Sequence, residues 1–439
     1  MTAAEKSGTG ASDALSPAAS TMPPSAPSAP SDATPDDPPA TSADTAPSTP
    51  LEEVDRRLAA LREDLAAAGL DAALLHQNAD LYYYAGTVQQ SFLYVPASGP
   101  ATLFMRRVVE RARAESPLAQ VVALRSMRGL GDAVRERYGA LPERLGLELD
   151  VLPVALFRRL ESQFPGAWTE DISGTVRRRR AVKSPHEVGL IRAAAGITDE
   201  VCERIPQLLH EGVRENQLAG RLEAIARAFG HEGVIRMRGF NQEMFYGQFV
   251  SGPNGTVPSY PDTPLAGEGL SPAVAQGVTA RSIGRGEPVV FDFVSVRRGY
   301  IADFTRVFSL GPLPDACRRA FAVALEIEQK VAAVARPGVE CAELYRLALG
   351  LAEAAGLGDR FMGTGEMRAR FVGHGVGLEL DELPVIAAID EPLADGMVFA
   401  LEPKFVLPGV GAVGIEDTFV VTPGGAERLS GIAPRLFEI

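Results

Sequence analysis

Asp292 and Asp303 lie in one apolar β-type run, Pro288-Val-Val-Phe-Asp292-Phe-Val-Ser-Val-Arg-Arg-Gly-Tyr300-Ile-Ala-Asp303-Phe-Thr-Arg306. Aspartate is depleted in strands, and an ionised carboxylate in an apolar sheet is costly unless something compensates it. Two on facing strands also repel each other, and a shared cation removes both costs. Side chains opposed across a hairpin are about 5 Å apart, with diagonal neighbours at about 7–8 Å, so the pair can share ions. A second acidic pair follows in the same kind of setting. Glu402 ends Met397-Val-Phe-Ala-Leu-Glu402, and Glu416 ends Ala412-Val-Gly-Ile-Glu416, on either side of a Gly/Pro turn. Among five histidines, His374 in Phe371-Val-Gly-His374-Gly-Val-Gly has flanking glycines that permit close backbone approach. Asp, Asp, His, Glu and Glu make a hard, mostly oxygen site suited to Mn²⁺, Co²⁺, Fe²⁺ or Zn²⁺. Four acids suffice to bridge two ions about 3.5–4 Å apart. Taken singly, each acid also fits a bulge, an edge or an ion pair, and His374 a hydrogen-bonded core residue; five together in apolar contexts favour metal.

The elements that must position these residues can be read from the pattern. Residues 1–50 are Ala, Ser, Thr, Pro and Asp-rich, lack aromatics, Val and Ile, and read as a disordered tail. Thr49-Pro50-Leu51-Glu52 offers an N-cap, a proline at the first helical position and a capping-box glutamate. Leu51, Val54, Leu58, Leu61 and Leu65 then give an amphipathic helix ending at Gly69. Strands at 72–76, 91–95, 101–105, 121–124 and 145–147, with a helix over 131–138, continue an α/β pattern, so 51–175 reads as a first domain. Ser184-Pro185-His186-Glu187 opens a long helix to about Leu209, followed by helices over 217–229, 316–335 and 341–355. Residues 176–439 therefore read as an α+β domain. Within it, helices followed by a two-acid hairpin occur twice.

Composition narrows the partners. The formal net charge is −13, so no basic face for nucleic acid is expected. The cluster Arg177 to Arg180 reads as a solvated or interdomain segment. Cys202, Cys317 and Cys341 are far apart and form no zinc or disulfide framework, which fits a reducing cytoplasm. There is no apolar run of about 18 residues, so no membrane span is expected.

The acidic run 292–306, Gly373-His374-Gly-Val-Gly, Leu401-Glu402-Pro403 and Gly414-Ile415-Glu416-Asp417-Thr418 together resemble the motifs of the pita-bread metallopeptidases. These are prolidase, aminopeptidase P and methionine aminopeptidase, with creatinase as a metal-free relative. Arg180-Ala-Val-Lys183-Ser184-Pro-His-Glu187 resembles the entry to their catalytic domain, and 51–175 the N-terminal domain of the prolidase and creatinase branch. The resemblance implies a C-terminal pita-bread fold with an internal pseudo-two-fold, preceded by a smaller α/β creatinase-type domain. It implies two divalent ions, with Asp292 chelating one, Asp303 and Glu416 bridging, and His374 and Glu402 completing the other. An activated water between the ions would attack a peptide or amide carbonyl, with Glu402 as general base. A homodimer in the cytoplasm is expected on the same analogy.

Three positions depart from that family's pattern. A histidine usual after a Ser-Gly-Pro-Asn-like segment is replaced around Ser259-Tyr260. A histidine usual seven residues after the ligand histidine is Asp381, which when ionised cannot donate to an oxyanion. An arginine usual two residues before the last glutamate in prolidase and aminopeptidase P is Gly414. His231, Arg236 or Arg238 is expected to compensate by pointing into the pocket, and Asp381 to receive a cationic part of the substrate; structural salt bridges are the alternative for both arginines. The leading expectation is a dinuclear-metal hydrolase of the Xaa-Pro peptidase kind. The alternatives are an amidohydrolase of a small non-peptide metabolite and a catalytically silent binding protein on the same fold.

Overall fold

A computed structural model describes residues 49–439. The expected disordered tail lies outside the described residues except for Thr49 and Pro50. The first helix, Leu51–Ala67, buries Val54, Leu58, Leu61 and Leu65, the stripe read from the sequence. Its start corrects one expectation. Pro50 is the N-cap with ψ 146°, no side chain caps it, and Thr49 stands outside the helix. An extended Pro50 cannot be a helical residue, which moves the cap one position along.

The N-terminal sheet has six strands in the order Val121–Ala123, Thr102–Met105, Ser91–Pro96, Ala72–Leu75, Arg144–Leu147, Trp168–Asp171. Four of these were expected at the positions found, together with Thr102–Met105 pairing as a hairpin partner of Ser91–Pro96. Asn78–Ala85, Val154–Glu161 and Ser173–Ala181 are helices that the periodicity did not show. The last spans residue 175, the expected end of the first domain.

The second domain repeats one plan. Pro185–Leu208 and Glu215–Ala228 precede the sheet of Phe249–Ser251, Val289–Arg297, Tyr300–Ser309 and Phe437–Glu438. Asp315–Val334 and Cys341–Ala354 precede the sheet of Glu382–Ala387, Phe371–Gly375, Val398–Leu401, Asp417–Thr422 and Gly425–Arg428. This is the expected pseudo-two-fold: a helix pair, then a sheet of antiparallel strands, twice, with Phe437–Glu438 added in parallel at the edge of the first. The capping box at the entry is formed, with Ser184 Oγ accepting from Glu187 N–H at 3.3 Å and Glu187 Oε2 from Ser184 N–H at 3.0 Å.

One turn sets the geometry of the acidic hairpin. Arg298 and Gly299 both have positive φ, 48° and 78°, as a type I′ two-residue turn requires. The carboxylate of Glu232 accepts from both of their N–H groups, at 2.7 and 2.8 Å. The resulting register pairs Arg297 with Tyr300, Val294 with Asp303 and Asp292 with Thr305. Asp292 and Asp303 are therefore diagonal neighbours on one face, and a one-residue slip would separate them.

Candidate metal centre

The two sheets bring all five expected ligands to one place. Asp292 and Asp303 come from the first hairpin. His374 comes from Phe371–Gly375, where glycines on both sides are obligatory. A Cβ at Gly373 would meet Ala400 O at 2.4 Å, and one at Gly375 would meet Leu383 O at 2.2 Å. Glu402 follows Val398–Leu401, and Glu416 precedes Asp417–Thr422, the strand paired with it. Glu416 is also bridged to Thr305 of the first hairpin, whose hydroxyl donates to Glu416 Oε2 at 2.7 Å. His374 Nε2 lies 3.6 Å from Glu402 Oε1 and 3.9 Å from both Asp303 Oδ2 and Glu416 Oε1. Asp303, His374 and Glu416 can each offer one ligand atom within 4.8 Å of the others.

The donor set fits a divalent cation. Asp303 Oδ1 and Glu416 Oε1 are buried without a hydrogen-bond partner. A buried acceptor left in that state is destabilising, and a cation between such oxygens supplies what they lack. Burial pushes the Asp303 carboxyl well above its ordinary value, and repulsion from Glu416 and Asp292 adds to this. Burial also pushes Asp292 up to about 7, against the pull of Lys404. These carboxylates are held together at an electrostatic cost that a cation would remove.

Lys404 is the functional residue missing from the sequence reading. Its side chain is 1 % exposed, and Nζ donates to Asp292 Oδ2 at 2.9 Å and to Glu402 Oε2 and Glu416 Oε2 at 2.7 Å. The signal was available: a lysine two residues after Glu402, inside the apolar run Lys404-Phe-Val-Leu407, is as costly to bury as the aspartates.

A cavity of about 290 Å³ opens onto the site, lined by Asp292, Asp303, His374, Glu402, Lys404 and Glu416 and also by Asp381 and Glu382. A larger apolar cavity of about 700 Å³, with Phe245, Phe249, Leu270 and Val274 in its wall, also reaches Asp292.

The expected substrate residues are placed differently. Both carboxylate oxygens of Asp381 accept backbone N–H groups, from Arg238 at 2.7 Å and Gly239 at 2.8 Å. Asp381 thus pins a loop over the cavity whose wall it lines. Arg238 pairs with Asp150 at 2.6 Å and Asp80 at 2.8 Å, and it lies outside the cavity wall. Arg236 accepts from Leu380 N–H through its carbonyl at 2.8 Å. His231 is buried against Tyr246, and its Nδ1 accepts from Val296 N–H at 2.9 Å. Burial lowers its pKa to about 4, so it is a neutral core histidine. Ser259 donates to Ala275 O, away from the carboxylates. Arg180 of the basic cluster is interdomain and buried, paired with Asp80, Glu379 and Glu382.

Residues 57–182 match the Creatinase/Prolidase N-terminal domain. The chain is 28% identical over 367 residues to a Xaa-Pro dipeptidase of Pyrococcus horikoshii, covering 82% of this chain and 93% of that one. A crystal structure of an X-Pro aminopeptidase from Thermotoga maritima superposes with a TM-score of 0.72 at 25% identity, covering 88% of this chain and 99% of the other. A dipeptidase from Mycobacterium ulcerans gives 0.71 at 26% identity, covering 88% and 98%. Residues 189–423, which carry all five expected ligands and Lys404, match metallopeptidase family M24. Repeated helix–sheet halves, a cluster of acids and one histidine between them, and that match over more than half of the chain lead to one conclusion: the protein belongs to metallopeptidase family M24 and is a hydrolase of the prolidase branch, with the pita-bread fold.

Proposed function

We propose that this protein hydrolyses small peptides at the bond preceding proline, with a divalent ion held by Asp303, His374, Glu402 and Glu416. The observation that carries the reading is the pair of buried, partnerless oxygens, Asp303 Oδ1 and Glu416 Oε1, beside the cavity. The Xaa-Pro specificity rests on what the relatives cleave. A bound divalent ion polarises a carbonyl and lowers the pKa of water. Glu402 is the residue placed to act as base: its Oε2 accepts from Lys404 Nζ, and its Oε1 lies 3.6 Å from His374 Nε2 at the edge of the ion site. Burial raises its pKa above the ordinary glutamate value, against the pull of Lys404. It takes the proton of the attacking water and delivers it to the leaving nitrogen. Manganese, cobalt, iron and zinc all suit this donor set.

One observation favours a second reading. Among the described residues lining the cavity, the basic side chains are His374 and Lys404, both inside the carboxylate cluster. No other cation is placed there to hold the C-terminal carboxylate of a dipeptide. That favours a longer peptide or an uncharged amide of a small metabolite. The test is hydrolysis of Xaa-Pro dipeptides, Xaa-Pro tripeptides and simple amides by the metal-loaded protein. Cleavage of Xaa-Pro substrates that chelation stops supports the first reading, and cleavage of amides alone supports the second.

The expected homodimer belongs to the same proposal. Phe245, Leu270 and Val274, which share the wall of the larger cavity, are each more than half exposed, at 67%, 59% and 60%, an apolar surface that a second copy would cover. Light scattering at twice the chain mass is the expected result. Among the described residues no helix is long and apolar enough to cross a membrane.

A further inference from the structure

Lys404 uses all three of its N–H donors on carboxylates that the family pattern assigns to metal. They go to Asp292 Oδ2, Glu402 Oε2 and Glu416 Oε2 at 2.7–2.9 Å, in a site where the lysine side chain is 1 % exposed. A second divalent ion on those same oxygens would stand against the ammonium with no water between them, and buried like charges at that range are strongly repulsive.

The oxygens divide cleanly. Asp292 Oδ2, Glu402 Oε2 and Glu416 Oε2 face the ammonium. Glu402 Oε1, Glu416 Oε1 and Asp303 Oδ2 face His374 Nε2 at 3.6–3.9 Å. Both partnerless oxygens, Asp303 Oδ1 and Glu416 Oε1, belong to residues on the histidine side. One part of the site is therefore saturated by an internal cation, and the other has unmet acceptors.

The backbone is built for this lysine. Lys404 pairs in register with Gly414, and a Cβ at 414 would come within 2.6 Å of Lys404 Cγ and 2.7 Å of Pro403 O. Gly414 leaves space for the Lys404 Cγ and for two backbone atoms, Pro403 O and Lys404 Cα at 2.7 and 2.8 Å. The stem passes over Gly414, and three carboxylates hold the ammonium.

We propose that the Lys404 ammonium takes the place of one of two cations, so that the centre binds a single divalent ion through Asp303, His374, Glu402 and Glu416. Asp292 then serves as a counter-charge for Lys404 and not as a metal ligand. The inference rests on the metallohydrolase reading above, and the two can fail separately.

The test is metal stoichiometry, with Mn²⁺ as the probe. The full chain is stripped with chelator, reloaded with Mn²⁺, desalted and measured for manganese per chain by mass spectrometry, with electron paramagnetic resonance on the same samples. One ion per chain and an uncoupled Mn²⁺ spectrum are expected. Asp292→Asn keeps one ion, and Asp303→Asn lowers retention at least tenfold. Two ions with an exchange-coupled spectrum in the wild-type protein overturn the lysine inference and leave the hydrolase reading standing. Loss of an ion in Asp292→Asn also overturns it. No ion in the wild-type protein overturns the hydrolase reading and the inference with it. Because the wild-type count is decisive alone, an unstable variant does not block the result.

Discussion

Lys404 and Gly414 face each other across a two-stranded ribbon, and the space a 414 side chain would fill is taken by the Lys404 Cγ and by two backbone atoms, Pro403 O and Lys404 Cα. This relationship connects a strand register to the charge balance of the centre. Four buried carboxylates converge there, and one ammonium is built in among them.

Gly414→Ala should therefore act through Lys404. Overpacking at such contacts costs about 1–3 kcal/mol. Denaturant unfolding of the two single variants and the double variant measures the coupling with Lys404→Ala. Part of the cost is expected to vanish in the double variant, because one of the clashing atoms is the lysine Cγ. Strict additivity would mean that the two residues are energetically independent.

Asp381 holds the loop at Arg238 and Gly239 by two backbone hydrogen bonds. Asp381→Ala removes both and is expected to lower kcat/KM about tenfold or more, in line with losing two charge-assisted bonds of roughly 1.5–3 kcal/mol each. Metal content should not change, since Asp381 lies outside the ligand cluster. Steady-state kinetics beside metal analysis reads both quantities, and an unaltered kcat/KM would show that the loop does not shape the reactive pocket.

Glu382 gives a pH dependence whose sign follows from its partners. Burial alone would raise its pKa, but Arg180 at 2.5 Å and Lys183 at 3.1 Å hold it at about 2, below its ordinary 4.5. The unfolded chain thus binds the proton first on acidification. The stabilisation is complete above pH 4.5 and is lost as pH falls towards about 2. Glu382→Gln breaks a buried pair and should cost about 3–5 kcal/mol at neutral pH. The difference between variant and wild-type melting temperatures should narrow as pH drops below 4.5, and a constant difference would show that the ion pair is not its source.

Metal removal should lower stability, because the ion binds the folded chain and not the dispersed ligands of the unfolded one. At a free-ion concentration one hundred times the dissociation constant the gain is about 2.7 kcal/mol. Calorimetry with and without chelator, in wild type and in Asp303→Asn, is the check. The variant should melt at nearly the same temperature in both conditions.

The acids were legible in the sequence because their cost is local: Asp292 and Asp303 interrupt an apolar run, and His374 sits between glycines that only a tight approach requires. The helix entry at Ser184 was legible for the same reason, since all its capping atoms lie within four residues. The partners of Arg238 were not, because Asp80 and Asp150 arrive from another domain through contacts that no local pattern encodes. Lys404 fell between these cases. Its spacing from Glu402 was visible, but its meaning depends on Gly414 across the ribbon and Asp292 in the other sheet.

The most direct test of the account is the anomalous scattering of crystals grown with Mn²⁺, collected at the manganese edge. One peak per chain, bounded by Asp303, His374, Glu402 and Glu416, with the Lys404 ammonium on Asp292, is the predicted result. Two peaks, with Lys404 displaced from Asp292, would contradict it.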